Sequence, residues 1–276
     1  MARATRPNSS SPRPFLRWVG AKRRIAPSIV PHLPRSYGTY FEPFLGGGSL
    51  FFLLCPTRAV ISDLCAPLVE CYKAVRDGPH AVMRELDSMT VDRAHYYAIR
   101  SEVAKTRFRR AARFIYLNRA GWNGLYRENA HGVFNVPFGR PKSPHLYDRG
   151  VLLDCSRHLR SHDLILRHCD FEETVIAAKK GDLMFLDPPY LTTHNLNGFV
   201  DYNARLFSWD DQHRLAEHAE SARRRKVSVI VAAPNHESVL SLYPNFEAHE
   251  VARSSTLASD PRFRGAVSEV LLVGHK

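Results

Sequence analysis

At 276 residues, with 44% hydrophobic and 11% aromatic content, the chain can bury one good-sized core and a smaller second lobe. No run approaches the roughly 18 consecutive apolar residues of a membrane span, and the opening MARATRPNSSSPRP lacks an apolar signal core, so a soluble, intracellular protein is expected. The net charge of +12, from 39 Lys and Arg against 27 Asp and Glu, favours a polyanionic partner because neutralised phosphates release counterions, although a basic chain also suits a membrane surface or an Arg-rich genome.

In chain order, residues 1–13 are rich in Ser, Pro and Arg without apolar periodicity, and predict a disordered or strand-tethering tail; ordered structure begins near Phe15. Short apolar runs at 39–44, 59–62, 163–167, 182–186, 226–233 and 267–273 predict buried strands of an α/β sheet. The stretch from Ala66 to about His145 interrupts that series. Leu68, Val69, Tyr72 and Val75, then Ala112, Ile115 and Tyr116, recur at helical spacing, whereas Gly, Asn and Pro punctuate aromatic and basic residues between Gly121 and Lys142. The expectation is a helical insertion over 66–147 with a hairpin or loop at 121–142, set on a core formed by 14–65 and 148–276. Cys55, Cys65, Cys71, Cys155 and Cys169 make no C-x-x-C pair and no zinc-ligand spacing, so reduced thiols and no metal are expected.

Three motifs carry chemistry. The apolar run at 183–186 leads into Asp187-Pro188-Pro189-Tyr190, which puts a carboxylate, two prolines and an aromatic at a strand's carboxyl end, where open α/β sheets bind ligands. This grouping suits methylation of an aromatic amine, a poor nucleophile whose lone pair is delocalised into its ring. Asp187 and the Pro188 carbonyl can accept the two N–H bonds, and Tyr190 offers a stacking face. The alternative is a plain turn in which Asp caps and the prolines stop the strand. Second, Phe41-Glu42-Pro43-Phe44-Leu45-Gly46-Gly47-Gly48 runs into a glycine-rich turn, but Phe51 stands where a dinucleotide fingerprint has its third glycine. S-adenosylmethionine has no pyrophosphate and needs only close backbone approach. Asp63 suits a ribose contact or a helix N-cap. Third, Trp18 and Lys22 flank Gly20 and can converge on a ligand carboxylate, or be a core Trp with a surface Lys.

In this order and spacing, from about Phe15 to the C-terminus, the motifs resemble the Dam family of DNA adenine methyltransferases. The segment Tyr116-Leu-Asn-Arg119, Asn123-Gly-Leu125, Arg127 and Phe134-Asn-Val-Pro-Phe-Gly-Arg140 is similar to that family's DNA-reading hairpin. The resemblance implies a Rossmann-like S-adenosylmethionine-dependent sheet with an inserted helical target-recognition domain, which acts on N6 of adenine in double-stranded DNA, within GATC, by base flipping. It assigns cofactor contacts to Trp18, Lys22, Glu42, Phe44, Gly46, Gly48, Asp63, Asp170, Phe171 and Asp187, and catalysis to Asp187, Pro188, Pro189 and Tyr190. It assigns DNA contacts to Arg17, Asn118, Arg119, Trp122, Asn123, Leu125, Arg127, Asn135, Pro137 and Arg140, with Arg127 on a guanine edge and Trp122 filling the gap of the flipped base.

Two departures stand out. Arg17 replaces a frequent Lys, and 254–265 differs from a phosphate-contacting segment, leaving Arg253, Arg262 and Arg264 as candidates. The basic clusters 107–113 and 223–226 suit a solvated face or DNA equally, and Asn235 and His236 suit a loop. A methyltransferase acting on RNA or a protein amide would leave the hairpin unexplained; a DNA-binding module without catalysis would leave the intact cofactor motifs unexplained. A monomer working in the cytoplasm, on nucleoid or phage DNA, is expected.

Overall fold

The computed structural model describes residues 2–3, 11–129, 131–160, 163–190, 207–254 and 266–275. Its elements in chain order are β1 (Ala2–Arg3), α1 (Ala26–Ile29), β2 (Ser36–Tyr37), β3 (Tyr40–Glu42), α2 (Ser49–Leu54), β4 (Ala59–Asp63), α3 (Ala66–Asp77), α4 (Pro79–Asp87), α5 (Arg93–Ser101), α6 (Arg107–Ala120), α7 (Arg149–Leu159), β5 (Leu164–His168), α8 (Phe171–Ala177), β6 (Leu183–Leu186), α9 (Trp209–Arg224), β7 (Ser228–Pro234), α10 (Glu237–Leu240), β8 (Glu247–Ser254) and β9 (Ala266–Gly274).

Seven strands form one sheet in the order β5-β4-β3-β6-β7-β9-β8. β5, β4, β3, β6 and β7 pair in parallel, and β9 runs antiparallel to β7 and β8. The apolar runs fold this way because a parallel sheet is covered on both faces, and β6 is buried at every position. Alternation along each strand splits the core into two layers. Phe185, Ile230 and Leu271 join the layer of Tyr40, Leu50 and Leu68, whereas Met184, Val231 and Leu272 join that of Phe171, Val175 and Leu215. The order matches the Rossmann-like sheet expected from the sequence.

β8 is a strand that the apolar pattern does not predict. Its sequence EAHEVARS is polar because it lies at the sheet edge, where Glu247, Ala248 and Glu250 are exposed. Of the predicted tail, Ala2–Arg3 pair antiparallel with Ser36–Tyr37, and residues 4–10 lie outside the described residues.

Between β4 and α7 the chain builds α3 to α6. Asp92 caps α5 by accepting from the His95 amide at 2.8 Å, and Thr106 caps α6 by accepting from the Arg109 amide at 3.1 Å. Tyr72, Tyr96, Ile115 and Tyr116 are fully buried in the same apolar layer as Tyr40 and Leu68, so these helices share one continuous core with the sheet. Beyond α6 the chain folds back on itself, with antiparallel bridges Gly121↔Phe138 and Glu128↔Phe134. Gly139 is required here, because a Cβ on it would stand 2.5 Å from the Gly121 carbonyl oxygen.

Candidate active site

The sheet order reverses at β3 and β6. From β3 the chain proceeds outward through β4 and β5; from β6 it proceeds the other way through β7. A crevice opens at the carboxyl ends of such a pair. Register pairs Tyr40 with Leu183 and Phe41 with Met184, so the glycine turn after Glu42 and the tetrad after Leu186 emerge side by side. Between them lies a cavity of about 640 Å³.

Trp18, Lys22, Glu42, Phe44, Gly46, Asp63, Asp170, Phe171 and all four residues 187–190 line this cavity. Gly48 does not, and its place in the cofactor set needs correcting. It sits at φ 65° as the turn into α2, where a Cβ would meet Phe52 at 3.1 Å and the Tyr72 hydroxyl at 3.2 Å; Gly47 and Ser49 form the wall instead.

Lys22 is no surface lysine. It is 3% exposed, its Nζ stands 2.8 Å from Asp187 Oδ1 and donates to the Gly20 carbonyl at 3.0 Å, and the ammonium lies 4.4 Å from the Tyr190 ring centre. Asp187 is 19% exposed, so this carboxylate is both anchored and reachable. Asp63 uses both oxygens on backbone, accepting from Gly46 N at 2.8 Å and Cys65 N at 2.9 Å, and burial raises its carboxyl above the usual range against those bonds. Asp63 thus holds the glycine turn rather than capping a helix; the amide it takes just ahead of α3 is that of Cys65. Burial pushes the Glu42 carboxyl well above the usual range, although Tyr40 donates to it at 2.9 Å. Phe44 and Phe171 stack at 5.5 Å. Asp170 caps α8 and pairs with Arg214 at 3.0 Å.

The hairpin supplies a wall that the motifs do not foretell: Leu125, Tyr126, Arg127 and Glu128 face the same cavity, and Tyr126 stacks on Trp18 at 6.2 Å. Trp122, Asn123, Pro137 and Arg140 are exposed, with Asn123 and Arg140 at φ 54° and 48°. Arg17 is exposed and Arg119 half-buried. Arg127 donates through Nε to Asn135 at 2.8 Å, which fixes its guanidinium.

Two expected DNA contacts are placed otherwise. Asn118 is 1% exposed and fully engaged: its Oδ1 accepts from Arg17 N at 2.8 Å, and its Nδ2 donates to the Arg17 and Gly124 carbonyls at 2.6 and 3.0 Å. It ties α6 to the N-terminal motif and the hairpin. Leu125 is 6% exposed and turned into the cavity wall. Much of the cluster at 107–113 ties helices together, with Arg109 on Glu102 at 2.8 Å, Arg107 on Asp77 at 3.1 Å and Arg113 on the Ile99 carbonyl at 2.8 Å. Arg223 and Arg224 pair with Glu220. Asn235 donates to Glu250, and His236 caps α10. Arg262 and Arg264 lie outside the described residues, as does the Arg253 side chain.

Among the described residues, no cluster of His, Cys, Asp or Glu is arranged to hold a metal ion, and no helix is long and apolar enough to cross a membrane. The chain is 33% identical to Type II methyltransferase M1.LlaDCHI of Lactococcus lactis subsp. cremoris, over 97% of each chain. It is 32% identical to a DNA adenine methylase of Salmonella typhi over 94% of each, and 29% identical to Type II methyltransferase M.MjaIII of Methanocaldococcus jannaschii over 95% of this chain and 99% of that one. The family model of the D12 class N6 adenine-specific DNA methyltransferases matches residues 18–257, from the Trp18 of the cavity wall to beyond β8, and with the paired motifs at the sheet's reversal this chain belongs to that family.

Proposed function

We propose that this DNA adenine methyltransferase uses S-adenosylmethionine to methylate N6 of adenine in duplex DNA, within GATC, after the base has swung out of the helix. The observation that carries the reading is the anchored Asp187, held by buried Lys22 at the mouth of a cavity shared by the glycine turn and the hairpin.

The cavity fits the cofactor. Its volume of about 640 Å³ suits a nucleoside-sized ligand. Gly46 and Gly47 line the cavity, and a Cβ on them would meet Trp18 at 2.7 and 3.0 Å, so the absence of side chains lets the turn pack against Trp18 in the cavity wall. The Phe44–Phe171 pair offers an apolar face for a purine, and Asp63, Glu42, Lys22 and Asp170 supply polar groups along the wall. S-adenosylmethionine bound there supplies a methyl group on an electrophilic sulfonium.

The chain's own residues do the rest. Asp187 and the Pro188 carbonyl accept the two N–H bonds of the adenine amine and favour a pyramidal nitrogen with its lone pair out of the ring. The prolines hold that carbonyl in place, and the base stacks on Tyr190. Positioning carries the catalysis, and no covalent enzyme intermediate is required. Duplex stacking hides the amine, so exposed Trp122 fills the space the adenine leaves, assisted by Asn123, while Arg127 reads a guanine edge. We infer a monomer acting in the cytoplasm, on nucleoid or phage DNA.

Asp187→Ala should lower turnover by at least about a thousandfold while duplex affinity changes less than about threefold. Near wild-type methylation by that variant would end this reading. Sequencing for N6-methyladenine in host DNA carrying the gene, with and without Asp187, reads the target; modification outside GATC would remove the specificity and spare the chemistry.

A further inference from the structure

Glu269 is a buried charge that neither the motifs nor the fold require. It lies on β9, opposite Pro234 of β7 and Val251 of β8, and is 1% exposed. It shares a sheet face with Leu271 and Val273, both core residues, so an apolar side chain would pack there without desolvating a carboxylate. Its Oε2 stands 4.0 Å from Lys22 Nζ, the same ammonium that Asp187 Oδ1 approaches to 2.8 Å. One buried cation therefore stands between two carboxylates delivered by different strands. Asp187 alone would neutralise Lys22; with Glu269 the trio carries net negative charge. Glu42 and Tyr40 also face Asp187, but burial pushes both their titrations well up, so that they favour the uncharged form.

We infer that Glu269 is a positioning residue for methyl transfer, acting through Lys22: from 4.0 Å its carboxylate offsets part of the ammonium's charge, so that Asp187, which takes the close contact at 2.8 Å, keeps its acceptor strength for the target amine. The inference rests on Asp187 accepting the amine. Without the charge on Glu269, the full field of Lys22 falls on Asp187, which weakens that carboxylate as an acceptor and makes it harder to protonate.

Glu269→Gln keeps the shape and removes the charge. Single-turnover methylation of a duplex, followed between about pH 5 and 8, should slow by about tenfold at neutral pH, with the acid limb of the rate profile displaced to lower pH. Affinities for S-adenosylmethionine and duplex should stay within about twofold, and the thermal midpoint should hold or rise because a buried charge is gone. An unmoved acid limb, or a rate loss that follows a lowered thermal midpoint, overturns the inference. Should the Gln variant not fold, Glu269→Asp carries the test: it keeps the charge and must leave the acid limb in place, and a displaced limb overturns the inference. Failure here with Asp187→Ala inactive removes only the role of Glu269, whereas an active Asp187→Ala removes the reading beneath it.

Discussion

Glu42 shows how a single residue links the cavity wall to pH. Burial holds its proton well above the ordinary value of 4.5, so the folded chain keeps a proton that the unfolded chain releases. The folded state then binds more protons, and this contribution to stability falls as pH rises above that ordinary value. Glu42→Gln, which mimics the protonated form and can still accept from Tyr40, should flatten the decline in thermal midpoint on the alkaline side. An unchanged slope between about pH 5 and 8 would show that Glu42 is ionised in the fold. Glu42 is legible in the sequence as part of the glycine-rich motif. Its burial is not, because burial depends on strands β4 and β6, which flank β3 from distant parts of the chain.

At the scale of elements, the hairpin depends on one side chain of α6. Asn118 bonds Arg17 twice and Gly124 once, so Asn118→Ala leaves buried polar groups unsatisfied and should cost about 2–3 kcal/mol in urea unfolding. Duplex affinity should fall with it, because the turn carrying Trp122 and Asn123 is anchored there; a variant of wild-type stability would show that water replaces these bonds. As a motif letter, Asn118 is indistinguishable from a DNA contact. Only its 1% exposure separates the two roles. Gly48 misleads in the same way: three glycines in a row look equivalent, but Gly46 and Gly47 line the cavity against Trp18, whereas Gly48 packs against Phe52 and Tyr72. β8 escapes the sequence pattern because an edge strand does not need the apolar run that marks its buried neighbours.

For the whole molecule, the net charge of +12 predicts that duplex affinity falls by about a hundredfold or more between 50 and 200 mM salt, as counterion release weakens. Asp187→Ala should show the same salt slope, since the role proposed for Asp187 involves no phosphate; a flat dependence in wild-type protein would leave the charge without a part in binding. We expect exposed arginines rather than the densest clusters to set this slope. Arg107, Arg109 and Arg113 are engaged within the helical segment, whereas Arg17 and Arg140 are exposed.

The sequence by itself determined the buried strands, the helical segment and the three motifs, because hydrophobic period and turn chemistry are local properties. It also pointed to the reaction class, through the order of the three motifs and the hairpin segment, since the tetrad by itself would equally suit a plain turn. Which side chains meet was left to the tertiary structure. Lys22 reaches Asp187 and Glu269 across most of the chain's length, and the stretch 125–128 closes a cavity begun by the glycine turn. Those contacts follow from the order in which parallel strands pack, which no window of sequence contains.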